Sequence, residues 1–303
     1  MNTTEKQSRL RRALDGISGI LVAPYQNDEL APALLRPIID KAISAGVHVL
    51  VANGNTGEYY GLTTAETERF VTEAAELIGG RVPLLGGVGR NIKEACSLAK
   101  VSASAGADGL MVHQPPDPFV SPRGVLEYVS RIADAADGLP LVLYMRNENI
   151  GLKTLEALCR IPSVVGVKWA SASPLLLGEA INTTRDLDIA WVGGLAETWA
   201  PAFYAVGARG FTSGLINVFP AHSVAVYNAL EAGDYALANE LIRKISVFEE
   251  LRAQENNGTN VTVVKAALQL LGHDCGATRP PSAWPLTKPA EFRLVAFVDT
   301  VRL

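Results

Sequence analysis

A lysine that closes an apolar run is the most chemically suggestive feature of this sequence. Lys168 ends Val164-Val165-Gly166-Val167-Lys168. An ammonium at such a place must be desolvated, which is costly without a counter-charge. The same surroundings lower its pKa and make the neutral amine a usable nucleophile near neutral pH. A lysine at a strand end can also carry its head to solvent, and position alone leaves both readings open. Tyr144 ends a second run, Leu141-Val142-Leu143-Tyr144. A phenol there could bond a substrate oxygen and pass a proton, or simply complete the core with its hydroxyl at the rim. A polar loop, Asn53-Gly54-Asn55-Thr56-Gly57-Glu58, follows an earlier run. Its glycines permit a tight turn that exposes backbone N–H groups beside the Thr56 hydroxyl, a nest suited to a carboxylate. The other reading is an ordinary turn into a helix, with Glu58 as a structural hydrogen-bonding residue. Gly193-Gly194 and Thr212-Ser213-Gly214 end two more runs. They would allow substrate close to the backbone, or be plain turns. Gathered at one mouth, an amine, a phenol and an anion nest point to carbonyl chemistry through an iminium ion. That ion is an electron sink for C–C cleavage or loss of water.

The elements that must position these residues are legible in the pattern. Eight short apolar runs recur: Ile17–Ala23, Val47–Ala52, Val82–Gly86, Gly109–His113, Leu139–Tyr144, Val164–Lys168, Ile189–Gly193 and Gly210–Ser213. They are nearly continuously apolar, as in parallel strands buried on both faces. Pro83 and Pro140 fall at second positions, tolerable only near a strand start. Segments of helical period separate the runs. Thr63 with Glu66 forms a capping box, and Phe70, Val71, Ala74, Leu77 and Ile78 then make one apolar face. Asn91 with Glu94 gives a similar start signal. Strand–helix alternation with eight repeats predicts a (β/α)8 barrel. A doubly wound sheet is the alternative, weakened by the lack of a G-x-G-x-x-G after the first run. After residue 232 the alternation stops. Helices are expected over Tyr235–Ala253, Val261–Leu271 and Glu291–Val301, so residues 1–232 read as the barrel and 233–303 as a helical extension packed on it. In such barrels the active site lies at the C-terminal ends of the strands, where Lys168, Tyr144 and the polar loops all fall.

Composition removes several function classes. With a formal net charge of −4 and no basic cluster beyond Arg11-Arg12, nucleic acid is not expected as a partner. No run approaches the length of a spanning helix. The polar opening from Met1 to Gln7 has no signal core, so no membrane association and a cytoplasmic location are expected. Three cysteines, Cys96, Cys159 and Cys275, include no C-x-x-C pair. Cys96 and Cys159 read as small buried hydrophobes. The four histidines show no zinc spacing, and no metal or cofactor is expected.

In this order and spacing the motifs resemble the dihydrodipicolinate synthase/N-acetylneuraminate lyase family of class I aldolases and dehydratases. The resemblance covers nearly the whole chain. It rests on Gly54-Asn55-Thr56-Gly57-Glu58 for G-x-T-G-E, on Tyr144-Met145-Arg146-Asn147, and on Val165-Gly166-Val167-Lys168 for V-G-x-K. Val264-Lys265-Ala266-Ala267-Leu268 and Arg279-Pro280-Pro281 add to it. It implies that Lys168 forms the imine, that Tyr144 is the general acid/base, and that Thr56 and its loop hold the carboxylate of a 2-keto acid. It also implies a homo-oligomer, tetramer or dimer.

Three positions differ from a synthase. Asn55 stands where a hydroxyl residue is usual. No tyrosine lies within Pro116-Asp117-Pro118, and Asn149 replaces an arginine. The motifs are closer to the branch that dehydrates 5-dehydro-4-deoxyglucarate, with Tyr144 and Arg146 matching Y-N-R-D-N and Gly194-Leu195-Ala196-Glu197 resembling its later loop. On that reading Asn55, Thr56, Gly57, Arg146, Gly194 and Thr212 bind substrate. Arg146 would grip a distal carboxylate, or else form a rim salt bridge. Trp169 would reshape the pocket or stack on an aromatic substrate. Within the family the alternative is a synthase-like aldolase that cleaves or condenses with pyruvate, and two other classes of function remain: a keto-acid-binding protein on a lapsed enzyme scaffold, and a metal-dependent aldolase using His113, Asp117 and Glu58.

Overall fold

Nearly continuous apolar strands need cover on both faces, and a barrel inside a ring of helices supplies it. The computed structural model describes residues 3–302. The chain opens with α1 (Thr3–Ala13) and β1 (Ile17–Ile20), then a small hairpin of β2 (Tyr25–Gln26) and β3 (Glu29–Leu30). Next come α2 (Arg36–Ala45), β4 (Val49–Ala52), α3 (Thr64–Ile78), β5 (Leu84–Val88), α4 (Ile92–Ser104) and β6 (Gly109–His113). The alternation continues through α5 (Pro122–Ala135), β7 (Leu141–Met145), α6 (Leu152–Cys159), β8 (Val164–Trp169) and α7 (Pro174–Thr183). It ends with β9 (Ala190–Gly193), α8 (Ala196–Ala205), β10 (Phe211–Ser213) and α9 (Pro220–Glu231). β1 and β4 to β10 close a barrel in chain order, every neighbour parallel.

Each of the eight predicted runs overlaps one barrel strand, with β5, β7 and β8 running one or two residues past the expected ends. The two prolines fall just before β5 and β7. Their carbonyls still accept ladder bonds, from Leu50 N at 3.0 Å and Leu110 N at 2.9 Å, so the missing N–H costs the sheet nothing. Helix α3 begins where its capping box predicts. Thr63 Oγ1 accepts from Glu66 N, and Glu66 Oε2 accepts from Thr63 N. At α4, Asn91 Oδ1 accepts from Lys93 N and Glu94 N. Inside the barrel, Ile20, Val49, Val51, Leu85, Met111, Val142, Val165 and Val192 meet Leu10 and Leu14 from the N-terminal helix and its end. That plugging helix was not foreseen. Cys159 and Cys275 are buried, whereas Cys96 is only half-buried, with Sγ 3.6 Å from the Arg131 carbonyl oxygen. No helix of the described residues is long and apolar enough to cross a membrane.

The remaining helices are α10 (Tyr235–Lys244), α11 (Ser246–Arg252), the short α12 (Gln254–Asn257), α13 (Asn260–Leu270) and α14 (Lys288–Arg302). The single helix expected over Tyr235–Ala253 is broken at Ile245, which leaves helical geometry at φ −105°, ψ 5°. The break lets α10 pack on α9 while α11 packs on α13 and α14. Their buried residues, Ile245, Phe248, Leu251, Val263 and Val264 among them, join the apolar cluster around the barrel. Inside α12 the chain turns left-handed at Glu255, Asn256 and Asn257, with φ of 51°, 56° and 66°. Asparagine tolerates that region; glutamate is strained there.

One ion pair ties this C-terminal segment to the loop after β4. Lys265 on α13 is fully buried, its Nζ 2.6 Å from Glu58 Oε1 and donating to the Ala277 carbonyl oxygen at 3.1 Å. Glu58 Oε2 accepts from Arg279 N at 2.9 Å. Glu58 is therefore the structural residue of the two readings. Removing one partner of a buried pair leaves the other charge uncompensated. Lys265→Met is expected to lower stability by about 3–5 kcal/mol, and Lys265→Met with Glu58→Gln to restore part of the loss. Urea unfolding at one fixed protein concentration measures both.

Candidate active site

Register across the parallel ladder sets the site. His113 on β6 lies beside Tyr144 on β7, and Tyr144 beside Lys168 on β8. Paired positions in neighbouring strands face the same side of the sheet, and successive residues face opposite sides. Lys168 and Tyr144 thus reach the cavity at the C-terminal ends of the strands, while Trp169 turns outward. Its ring packs with Met145, Ile150, Leu155 and Leu176 around a small space outside the barrel. The expectation that Trp169 shapes the pocket or stacks on substrate is corrected by this alternation.

The cavity has a volume of about 370 Å³. Its wall includes Lys168, Tyr144, Asn55, Thr56, Gly194 and Thr212. Lys168 is 5% exposed. Its Nζ stands 3.9 Å from the centre of the Tyr144 ring, and no ion pair joins it to a carboxylate among the described residues. Burial, helped by the charge of Arg146, lowers its pKa to about 7. A substantial share of the amine is then neutral at physiological pH. Burial pushes the Tyr144 phenol up to about 12, so it stays protonated. Tyr144 Oη accepts from Asn55 Nδ2 at 3.0 Å, which leaves its own proton for another acceptor.

Behind them His113 is fully buried, and burial lowers its pKa to about 3. Its Nε2 lies 2.9 Å from the Asn53 carbonyl oxygen, a contact that assigns the proton to Nε2. The ring stacks on Tyr59, with centroids 4.3 Å apart, and tilts against Tyr144 at 5.3 Å. His113 is thus a neutral prop for the phenol. Asp117 Oδ1 accepts from Phe119 N at 2.7 Å in the loop after β6, and Glu58 is engaged with Lys265. The three residues of the metal-aldolase reading are not brought together. No group of three or more His, Cys, Asp or Glu among the described residues is placed to hold a metal ion.

Two of the expected binding residues stand off the cavity wall. The Gly57 N–H donates to the Gly54 carbonyl oxygen at 2.9 Å, closing the turn Asn55–Gly57. A Cβ at Gly57 would come 2.9 Å from the Leu21 carbonyl oxygen, so glycine is needed there for packing. Arg146 is tied to Gln114: its backbone N donates to Gln114 Oε1 at 2.7 Å, and its Nη2 contacts the Gln114 carbonyl oxygen at 3.4 Å. Its guanidinium lies 5.4 Å from the centre of the Tyr60 ring. No acid pairs with it among the described residues, so it is not the rim salt bridge considered above. It reaches Lys168 through its field. Gly194 does line the cavity, but its N–H donates to the Trp169 carbonyl oxygen at 2.6 Å. A Cβ there would sit 2.7 Å from Ala170 Cβ. Asn149 stays in the exposed loop, its N–H donating to Asn147 Oδ1.

Part of the wall was not foreseen. Thr198 and Trp199 of α8, Glu249 and Arg252 of α11, and Asn257 and Asn260 all line the cavity. Helical period cannot reveal that a C-terminal helix folds back over the barrel mouth. The only sequence trace is the i,i+3 pair Glu249 and Arg252 beside the buried Leu251.

Fold and site together define a barrel enzyme with a buried amine and a phenol at its mouth. Residues 13–299 match the dihydrodipicolinate synthetase family, and the chain belongs to that family, whose enzymes are class I lyases. It is 32% identical over 275 residues to 4-hydroxy-tetrahydrodipicolinate synthase of Methanoculleus marisnigri, covering 88% of this chain and 92% of that one. It is 29% identical over 286 residues to a probable 5-dehydro-4-deoxyglucarate dehydratase of Bacillus subtilis, covering 93% and 92%. The crystal structure of dihydrodipicolinate synthase from Oceanobacillus iheyensis superposes with a TM-score of 0.93 at 33% identity, covering 98% of this chain and 99% of that one.

The field of Arg146 can be tested directly. Arg146→Gln removes a positive charge near the amine, so Lys168 should titrate at higher pH in the variant than in the wild type. NMR of protein labelled with carbon-13 at lysine Cε reads both midpoints. An unchanged midpoint would assign the shift to burial alone.

Proposed function

We propose that Lys168 forms a Schiff base with a 2-keto acid, and that the enzyme then eliminates water from, or cleaves, the bound substrate. The observation that carries this reading is a buried lysine amine with no carboxylate partner, beside a protonated phenol. Neutral Nζ attacks the keto carbon, and the Tyr144 hydroxyl supplies a proton as the keto oxygen leaves as water. Thr56, with Asn55, holds the substrate carboxylate next to the amine. The positive imine nitrogen then acidifies C3. The Tyr144 phenolate takes a C3 proton, giving an enamine, and the restored phenol returns that proton to the C4 hydroxyl as it leaves as water. The alternative course breaks the C3–C4 bond and releases an aldehyde. Hydrolysis of the imine frees Lys168 and the product.

Dehydration of a 2-keto-3-deoxy sugar acid is the course we favour. An amide at Asn55 can orient the phenol but cannot relay a proton as a hydroxyl does. The tyrosine and arginine of a synthase are also absent from 116–118 and from position 149. The relatives named as probable 5-dehydro-4-deoxyglucarate dehydratases support the same course, and those named as synthases support the aldol alternative. A cytoplasmic homo-oligomer, dimer or tetramer, completes the reading.

The test is borohydride reduction with a panel of 2-keto acids, read by intact mass, beside turnover. Wild type should gain one reduced adduct, and Lys168→Ala none. Tyr144→Phe should slow turnover by about 10²–10⁴-fold. A Lys168→Ala protein with full turnover would refute the reading. Binding without adduct or turnover would favour the lapsed scaffold.

A further inference from the structure

A barrel interior is ordinarily filled by side chains from its own strands. Two inward positions of this barrel have none. Gly166 shares the inner face of β8 with Lys168, two residues nearer the barrel floor, and pairs with Val142 and Ala190. Gly109 shares the inner face of β6 with Met111. The N-terminal helix fills both gaps. A Cβ on Gly166 would come 3.0 Å from Leu14 Cδ1, and one on Gly109 would come 2.5 Å from Leu10 Cδ2. Both leucines are buried. They stand one helical turn apart, and Leu14 N still donates to the Leu10 carbonyl oxygen at 2.9 Å, so one face presents both. The helix is fixed at the floor by its arginines. Arg9 Nη2 donates to the Gly80 carbonyl oxygen at 3.0 Å, and Arg9 Nη1 lies 3.4 Å from Asp108. Arg11 pairs with Asp188 at 2.8 Å and with Asp15 at 3.0 Å.

We infer that Leu14, backed by Leu10, is a positioning residue for the amine: it closes the barrel beneath Lys168 and keeps water away from that side. This deepens the Schiff-base reading and rests on it.

Dehydration is the physical argument. Burial, ahead of the field of Arg146, is the larger cause of the lowered Lys168 pKa. Whatever keeps the amine dry therefore sets its reactivity. Its charged and titratable neighbours all lie at the mouth: Tyr144, His113 and Arg146 near the ends of β6 and β7, and Glu249 and Arg252 across the cavity. On the floor side the interior is apolar, with Val142, Val165, Ala190 and Val192 packed in one cluster with Leu10 and Leu14. The arginines of the helix turn to acids outside the barrel.

One polar group interrupts that lining. Ser18 faces inward through its pairing with Val49 and Thr212, and its Oγ is buried without a hydrogen-bond partner. Such a hydroxyl would hold water wherever room appeared. Leu14 occupies the room. The glycine two residues before the lysine is what admits it.

The test is titration of Lys168 in the intact enzyme, by NMR of carbon-13 at lysine Cε, with kcat/KM followed across pH. Leu14→Ala should raise the Lys168 midpoint by about one pH unit, which cuts the neutral amine at pH 7 about fivefold. The value of kcat/KM at pH 7 should fall by the same factor and return to that of wild type well above both midpoints. Leu14→Met refills the space and should titrate as wild type does. Leu158→Ala makes the same truncation at a buried site on α6, outside the barrel. It should leave the midpoint in place, which separates a dry floor from general loosening. If Leu14→Ala fails to fold, Leu14→Val makes the comparison with a smaller shift. A midpoint unmoved at position 14, or moved equally by Leu158→Ala, would overturn the inference. If wild type forms no borohydride-reducible adduct with pyruvate or with any other 2-keto acid tried, the Schiff-base reading falls and this role with it. If adducts form and the midpoint does not move, only the role of Leu14 falls.

Discussion

Two lysines lose their water in this fold, and the partners they meet give them opposite roles. Stripping an ammonium of solvent costs several kcal/mol unless a counter-charge or neutralisation relieves it. Lys265 meets Glu58 at 2.6 Å and stays a structural cation. Lys168 meets the Tyr144 ring at 3.9 Å and no acid. With Arg146 adding its field, the easiest relief for Lys168 is loss of the proton, and a neutral amine is what addition to a carbonyl requires. The proposed chemistry depends on keeping acids away from one lysine while giving one to the other.

The architecture enforces that separation. Parallel register sets His113, Tyr144 and Lys168 side by side at the same end of β6, β7 and β8, and their neighbours in the barrel are apolar. The acids are sent elsewhere: Glu58 to Lys265, Glu249 to Arg252, and Glu197 to two serines. The Glu58–Lys265 pair also connects α13 to the loop that carries Asn55 and Thr56. The C-terminal segment therefore helps hold the proposed carboxylate site as well as forming part of the cavity wall.

Strand placement and the capping box at Thr63 were legible because hydrophobic period and cap chemistry are local. Lys168, Tyr144, Asn55, Thr56, Gly194 and Thr212 were legible as a group because each lies next to the end of a strand or follows one, and the barrel brings strand ends together. What escaped was nonlocal. The break at Ile245 follows from packing on two different surfaces. Glu249, Arg252 and Asn260 reach the cavity because α11 and the start of α13, joined through left-handed residues at 255–257, both come to the barrel mouth. Gly57 and Arg146 show a finer limit: motif position placed them near the site, but the turn bond of one and the Gln114 contacts of the other keep them off its wall. The outward turn of Trp169 was within reach of strand alternation, since Lys168 beside it had to face in.

The most direct measurement is peptide mapping of the wild-type enzyme after reduction with carbon-13-labelled pyruvate and borohydride. The account expects label on the peptide containing Lys168, with the equally buried Lys265 unmodified. Label on Lys265, or on exposed lysines with none on Lys168, would contradict it.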